Sequence, residues 1–290
     1  MKFAICILCN NVFYLQNIID NFQYKNNKSI DLIIINETRI KNLLNEFKEI
    51  CKDINNIILI DGKNIIDRFK TDIIDTKFVD IYTMGLNILQ NWYVFKYMNY
   101  DKVIVVDDDV IINNLDNIFK YDESLFYKFR LSAGGKTYNE NSLKYKKLIK
   151  TYCDIFDLEI NSNNYADLWI DNHINAGERM YTKKDFNIRE YEEYLKRFYA
   201  NSGINYFWNI RKKPGSYYLD EWFESFFAYK TGIINDILRI EKLAFIEIRN
   251  NDKINFEKYT NAKDYPIWHN ATCSHKKDWL KILKEYNIIN

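Results

Sequence analysis

The sequence predicts an α/β fold built on a mostly parallel sheet flanked by helices. Three observations carry that expectation. Apolar runs of strand length alternate with segments of helical period through the front of the chain, the pattern of βαβ units. Val103-Ile104-Val105-Val106 runs straight into Asp107-Asp108-Asp109 and on into Val110-Ile111-Ile112, which reads as a strand buried on both faces with acids at its end. Polar residues stand at three strand ends, Asn10-Asn11, Asp61-Gly62 and Asp107–Asp109, and ligands of such sheets bind beyond the carboxyl ends of strands.

The elements follow in order. Residues 3–8 read as a first strand and 10–23 as the loop and helix after it. Residues 29–35 form a second strand. Residues 41–54 place Leu43, Leu44, Phe47 and Ile50 at helical spacing. A third strand spans 56–60, a helix 80–97 and a fourth strand 103–106. The second half is less regular. Residues 142–158 look helical, 189–199 form a charged, Tyr-rich helix, and 220–229 begin a helix whose first turn is acidic, as its dipole prefers. Lys213-Pro214-Gly215 is a turn. With two prolines and eight glycines in 290 residues, no linker separates the halves. One domain over 1–290 is expected, 1–115 facing a nucleotide and 116–290 facing an acceptor.

Composition narrows the classes. Forty-one basic against 40 acidic residues give a net charge of +1, which offers no basic face for a nucleic acid. Aromatic residues make up 17% of the chain, with 23 Tyr, 19 Phe and 6 Trp. Such residues fill cores, and their faces also suit sugar rings. Five scattered cysteines, Cys6, Cys9, Cys51, Cys153 and Cys273, argue against a disulfide framework and for a reducing compartment. Cys6-Ile7-Leu8-Cys9 lies inside a strand-like run, so these read as buried structural thiols. The N-terminal apolar run ends at Asn10-Asn11 without a small-residue cleavage site, and no stretch reaches membrane-span length. A cytoplasmic location is expected.

Three carboxylates at the end of a buried strand repel one another and cost desolvation energy. A cation removes that cost, and oxygen ligands suit Mg²⁺ or Mn²⁺, with a phosphate-bearing ligand completing the shell. Side chains alternate along an extended chain, so Asp107 and Asp109 share a side and can reach one cation, while Asp108 points the other way. Two of the three histidines, His269 and His275, stand beside Lys276-Lys277; an imidazole is an acceptable further ligand.

Apolar strand, Asp-x-Asp, apolar strand resembles the metal motif of nucleotide-sugar glycosyltransferases with the GT-A fold. The order Asp107-Asp108-Asp109, Asn175-Ala176-Gly177, Asp220-Glu221, His269 is similar to that family's order of features over most of the chain. The resemblance implies a Rossmann-like, mixed, mostly parallel sheet. It implies Mn²⁺ or Mg²⁺ held by Asp107, Asp109 and His269. It implies a nucleoside-diphosphate sugar, a UDP-sugar by the late-His arrangement, as donor. It places Cys9, Asn10, Asn11 and Asp61 at the nucleoside, Asp107 and Asp109 at the cation or split between cation and ribose, Asp108 toward a basic residue or the donor sugar, Asn175, Ala176 and Gly177 at the donor sugar, and Lys276 at a phosphate. The tail from Trp268 to Trp279 looks like a loosened glycogenin-like pattern that lacks its Gly and has a longer His-to-Trp spacing, which leaves His269 against His275 open. Asp220 or Glu221 would be the general base of an inverting transfer, or sugar-positioning acids in a retaining one; helix capping is the plain alternative. Asn201-Ser202-Gly203 is a second candidate for the sugar-lining tripeptide, and Lys96 is a further candidate for a phosphate or acid of the site. A glycan or glycoconjugate is the expected acceptor.

Other classes compete. Haloacid-dehalogenase-type phosphatases also end an apolar strand in Asp-x-Asp, which would make Asp107 a nucleophile. Their motif stands near the N-terminus and a Gly-Asp segment follows it, whereas here 106 residues precede Asp107 and no Gly-Asp comes after. A non-catalytic nucleotide-sugar or carbohydrate-binding protein is a further alternative. A structural Ca²⁺ site is another, without the EF-hand spacing.

Overall fold

The computed structural model describes residues 1–25, 30–36, 43–74, 83–108, 110–112, 119, 122–128, 143–159, 174–202, 204, 219–233, 246–247 and 267–269. The front of the chain is four parallel strands joined through helices. Strands β1 (Phe3–Cys9), β2 (Ile30–Asn36), β3 (Ile57–Asp61) and β4 (Lys102–Val106) lie in the order β3-β2-β1-β4. Helices α1 (Val12–Lys25), α2 (Leu43–Cys51), α3 (Gly62–Asp72) and α4 (Thr83–Tyr97) stand between them in sequence. A short strand β5 (Val110–Ile112) follows the acids.

The second half completes the same sheet. Strand β7 (Ile174–Thr182) runs antiparallel along β4, and β6 (Leu125–Lys128) runs antiparallel along β7, giving six strands in the order β3-β2-β1-β4-β7-β6. Helices α5 (Leu143–Phe156), α6 (Ile188–Ala200) and α7 (Leu219–Lys230) come from this half. A second, three-stranded sheet joins β5 to β9 (Ile267–His269) and β8 (Ile246–Glu247) in the order β5-β9-β8.

Strand alternation sorts the core into two layers. Ile5, Ile7, Leu32, Ile34, Ile104 and Val106 pack against Leu15, Ile18, Ile19 and Phe22 of α1 and Leu43 and Phe47 of α2. Ala4, Cys6, Leu8, Val103 and Val105 face the opposite layer, built by α3 to α7. Helix α6 explains itself: Tyr191, Tyr194, Leu195, Phe198 and Tyr199 recur at the spacing of one helical face and are buried, and the Asn187 side chain caps the N-terminus. Helix α7 is buried almost all round, as its run of Trp222, Phe223, Phe226 and Phe227 demands.

The structure adds elements that the sequence pattern does not mark, the strands β6 to β9 and one helix among them. Residues 62–72, left without an element, form α3: Asp61 accepts from the Lys63 N–H as N-cap, and Ile65, Ile66 and Phe69 are buried. The Asn175-Ala176-Gly177 segment, to which the sequence pattern assigns no element, lies within the long strand β7. Its Glu178-Arg179 pair hides the alternation that marks a half-buried strand.

Candidate functional site at the carboxyl edge of the sheet

Because β1 to β4 are parallel, their last residues share one edge. Cys9 pairs with Asn36, and Asn36 with Asp61, so three strand ends lie in one row. Ile7 pairs with Val106 on the other side of β1, which brings the acids after Val106 to the same level. The backbone N–H of Asn10 donates to Asp108 Oδ2 at 3.3 Å, tying the two strand ends together. Asp107 and Asp108 are half-buried.

The polar groups of this row have definite tasks. Asn36 is buried, and its Oδ1 accepts from the Gly62 N–H at 3.1 Å, which fixes the start of α3. Asp61 accepts from Lys63 N–H at 2.9 Å. The Cys9 thiol donates to the Asn11 carbonyl at 3.3 Å. Burial first, and the Asp108 charge second, push that thiol far above the ordinary range, so Cys9 is a packed neutral group. The Asn11 carbonyl in turn accepts from Leu15 N–H at the start of α1.

The second sheet brings the far end of the chain to the acids. Val110 of β5 pairs with His269 of β9, antiparallel, so His269 stands across from the residue that follows Asp109. A separation of 159 positions in sequence (269 less 110) is closed by backbone pairing. Carboxylates with one imidazole form a donor set that suits Mn²⁺ or Mg²⁺. Among the described residues no group of three or more His, Cys, Asp or Glu is close enough to hold an ion. Asp109 and the side chain of His269 lie outside them, as do Lys276 and His275.

Helix α7 reaches the same edge from the aromatic layer. Asp220, in its first turn, is 4% exposed. Its Oδ2 accepts from Asn87 Nδ2 at 2.9 Å, and its Oδ1 is buried without a hydrogen-bond partner. Asn87 belongs to the first half of α4, the half nearest the strand ends. Glu221 is half-exposed.

Sequence reasoning missed the groups behind Asp220. Arg179 of β7 pairs across from Val105, and its Nη2 donates to the Asn87 carbonyl at 2.8 Å. Glu224, one turn after Asp220, lies 3.7 Å from Arg179 Nη2, both side chains fully buried. Asn91 Nδ2 donates to Glu224 at 2.9 Å, Tyr191 at 2.7 Å, and Tyr181 donates as well. Burial raises the Glu224 carboxyl above its ordinary range, while Arg179, the two tyrosines and Asn91 pull it back. The signal was present: a charge amid Trp222, Phe223, Phe226 and Phe227 requires a buried partner.

Two sequence candidates lie elsewhere. Lys96 sits in the last turn of α4, 2.7 Å from Glu192 and 3.8 Å from Asp72. Helix α4 runs back along the sheet to enter β4 at Lys102, so Lys96 stands at the opposite edge from Asp107, roughly 17 Å away by the length of a five-residue strand. Asn201 is the C-cap of α6, its Oδ1 accepting from Ile204 N–H at 3.4 Å, while Gly203 of that tripeptide lies outside the described residues. Asn175, Ala176 and Gly177 are placed by backbone: Glu178 pairs with Val106, so Gly177 is the next residue of β7 beside Asp107.

Mouse xyloside xylosyltransferase 1 superposes on 93% of this chain and 98% of its own, at a TM-score of 0.54 and 9% identity. The chain has the fold of a glycosyltransferase. The match extends over both halves, including the irregular second one. The glycosyltransferase GlyE of Streptococcus pneumoniae aligns over 100% of this chain and 61% of its own, with a TM-score of 0.38 and 13% identity. The Mycobacterium tuberculosis glucosyl-3-phosphoglycerate synthase, solved with Mn²⁺, UDP and glucosyl-3-phosphoglycerate, aligns over 70% and 67% at 0.37 and 9%. At those scores the last two add nothing to the fold assignment. No family model and no curated protein matches the sequence. No helix among the described residues is long and apolar enough to cross a membrane.

Proposed function

We propose that this chain is a metal-dependent glycosyltransferase that moves a sugar from a UDP-sugar to a hydroxyl of a glycan or glycoconjugate. The observation that carries the reading is the pairing of Val110 with His269, which sets a histidine strand beside the acidic end of β4 at the ligand-binding edge of the sheet. Asp107, Asp109 and His269 would hold the ion, which when bound neutralises charge developing on the departing diphosphate. The row Cys9, Asn10, Asn11 and Asp61 borders the nucleoside, and Asp108 keeps Asn10 in place through its N–H. Asn175, Ala176 and Gly177 line the sugar, and Lys276 meets a phosphate. Asp220 is buried and suited to hold the donor sugar. Glu221 keeps solvent exposure and is the group able to take a proton from an incoming acceptor hydroxyl.

Substituting Asp107→Ala and Asp109→Ala separately tests this. Calorimetric titration with UDP in Mn²⁺ should lose affinity by more than the roughly 10- to 100-fold that outer-shell partners of a metal carry, with the circular dichroism spectrum unchanged. Unaltered UDP affinity in both variants would overturn the reading.

A further inference from the structure

The buried pair Arg179–Glu224 is poorly built as a stabilising device. Arg179 Nε and Nη1 are buried and make no hydrogen bond, although a guanidinium carries five N–H donors. The ion-pair contact is 3.7 Å, longer than a charge-assisted hydrogen bond. An apolar pair would fill this aromatic layer without the desolvation that two buried charges incur. What the pair does well is fix a direction. Glu224 is held by Asn91, Tyr191 and Tyr181, and Tyr191 also donates to the Ile88 carbonyl at 2.9 Å. Glu224 holds Arg179, and Arg179 Nη2 holds the carbonyl of Asn87. The Asn87 side chain then holds Asp220 Oδ2, which leaves Oδ1 as a buried acceptor without a donor. Arg179 and Asp107 share a strand face, because Arg179 lies across from Val105 and side chains alternate. Gly177, without a Cβ, is the residue of β7 beside Asp107, two positions from Arg179.

We propose that Arg179 and Glu224 are positioning residues that act through Asn87 to orient Asp220, so that its Oδ1 accepts a hydrogen bond from a hydroxyl of the donor sugar. The inference rests on the transferase reading and names the group its donor must carry. The Arg179 charge is already answered by Glu224 and Asp220, so a carboxylate on the sugar gains nothing here. A neutral sugar with a free hydroxyl at this point fits, and one lacking that hydroxyl leaves the Asp220 acceptor unpaired.

The test compares the calorimetric Kd of UDP with those of UDP-glucose, UDP-galactose, UDP-xylose and UDP-N-acetylglucosamine, all in Mn²⁺. The gain in affinity that the sugar adds to UDP is the readout, followed with the donor that gives the largest gain. The double variant Arg179→Met/Glu224→Leu removes both charges of the pair, and Asp220 keeps the hydrogen bond from Asn87. It should stay folded with most of its thermal stability, keep its UDP affinity, and lose roughly 10- to 100-fold of the sugar's gain. Arg179→Lys, which can still donate to the Asn87 carbonyl, should recover part of it. A double variant with the full gain overturns the positioning role, as does a parallel fall in UDP affinity and thermal midpoint that leaves the gain intact. No gain for any sugar in the wild type also overturns it. Absence of metal-dependent UDP binding in the wild type would instead remove the transferase reading beneath it.

Discussion

The two faces of the central sheet are packed by different means. On the α1–α2 side, Ile5, Ile7, Leu15, Ile19, Leu32 and Ile34 form a mostly aliphatic layer. On the α3–α7 side, Trp92, Tyr152, Tyr181, Tyr191, Trp222, Phe223 and Phe227 form an aromatic one, with edge contacts such as Tyr191 to Phe227 at 4.7 Å and Tyr191 to Phe223 at 5.4 Å. Arg179, Glu224, Asn91 and Asp220 are buried in or beside this second layer. An aliphatic layer has no polar tips of its own: the buried Lys102 at its margin relies on the Phe119 carbonyl at 2.7 Å and on Asp122 at 3.2 Å. Tyrosine supplies ring area and a hydroxyl together, which is how Tyr181 and Tyr191 keep Glu224 solvated by protein. The Tyr surplus in the composition is thus spent in part on an internal polar network rather than on a sugar-facing surface.

Breaking the aromatic layer electrostatically should have the largest effect. Glu224→Leu leaves Arg179 buried without its counter-charge and should cost about 3–5 kcal/mol in urea unfolding; the Arg179→Met/Glu224→Leu double variant should regain most of it. Equal losses in single and double variants would mean that shape, not charge, dominates there.

Alkali tests the aromatic layer and the strand face it covers, where Cys6, Tyr181 and Tyr191 all lie. Burial lifts the Cys6 thiol to about 12 and raises Tyr181 and Tyr191 well above the ordinary phenol range. The unfolded chain releases these protons from about pH 8.5–10 upward while the folded chain keeps them. Stability from these groups is therefore full below about pH 8.5 and falls as pH rises toward 12. Cys6→Ala should flatten part of that fall. A pH-independent midpoint between 8.5 and 11 would contradict it.

The smallest expected effect lies on the aliphatic side. Ile34→Val should cost about 0.5–1.5 kcal/mol. Because it sits across the sheet from Glu224, its cost should add to that of Glu224→Leu within about 0.5 kcal/mol. Strong coupling between the two would mean that the layers are not independent.

The sequence was most legible where local pattern and tertiary role agree. Each run of β-branched residues in the front half became a strand within a residue or two of its expected bounds, because both faces of that sheet are covered. The helices at 188–200 and 219–230 were visible from apolar spacing and an acidic first turn. Strand β7 was hidden because Glu178 and Arg179 interrupt its apolar character, and Arg179 is buried only by virtue of Glu224 on another element. Helix α3 escapes the local pattern because its N-cap Asp61 is also the last residue of β3, where a capping acid and a ligand-binding acid look alike in sequence. The acidic edge was legible as chemistry, since adjacent acids after an apolar run need an explanation. The place of His269 followed from the resemblance alone, because no local pattern foretells the β5–β9 pairing that brings its backbone beside Val110.

One measurement addresses the central claim most directly: thermal shift with UDP, GDP, CDP and TDP, each in Mn²⁺ and in EDTA. The account predicts stabilisation by UDP in Mn²⁺, about 2.7 kcal/mol when the nucleotide is at 100 times its Kd, and its loss in EDTA. No shift with any of the four, or a shift that survives EDTA unchanged, would contradict a metal-dependent nucleotide site at the end of β4.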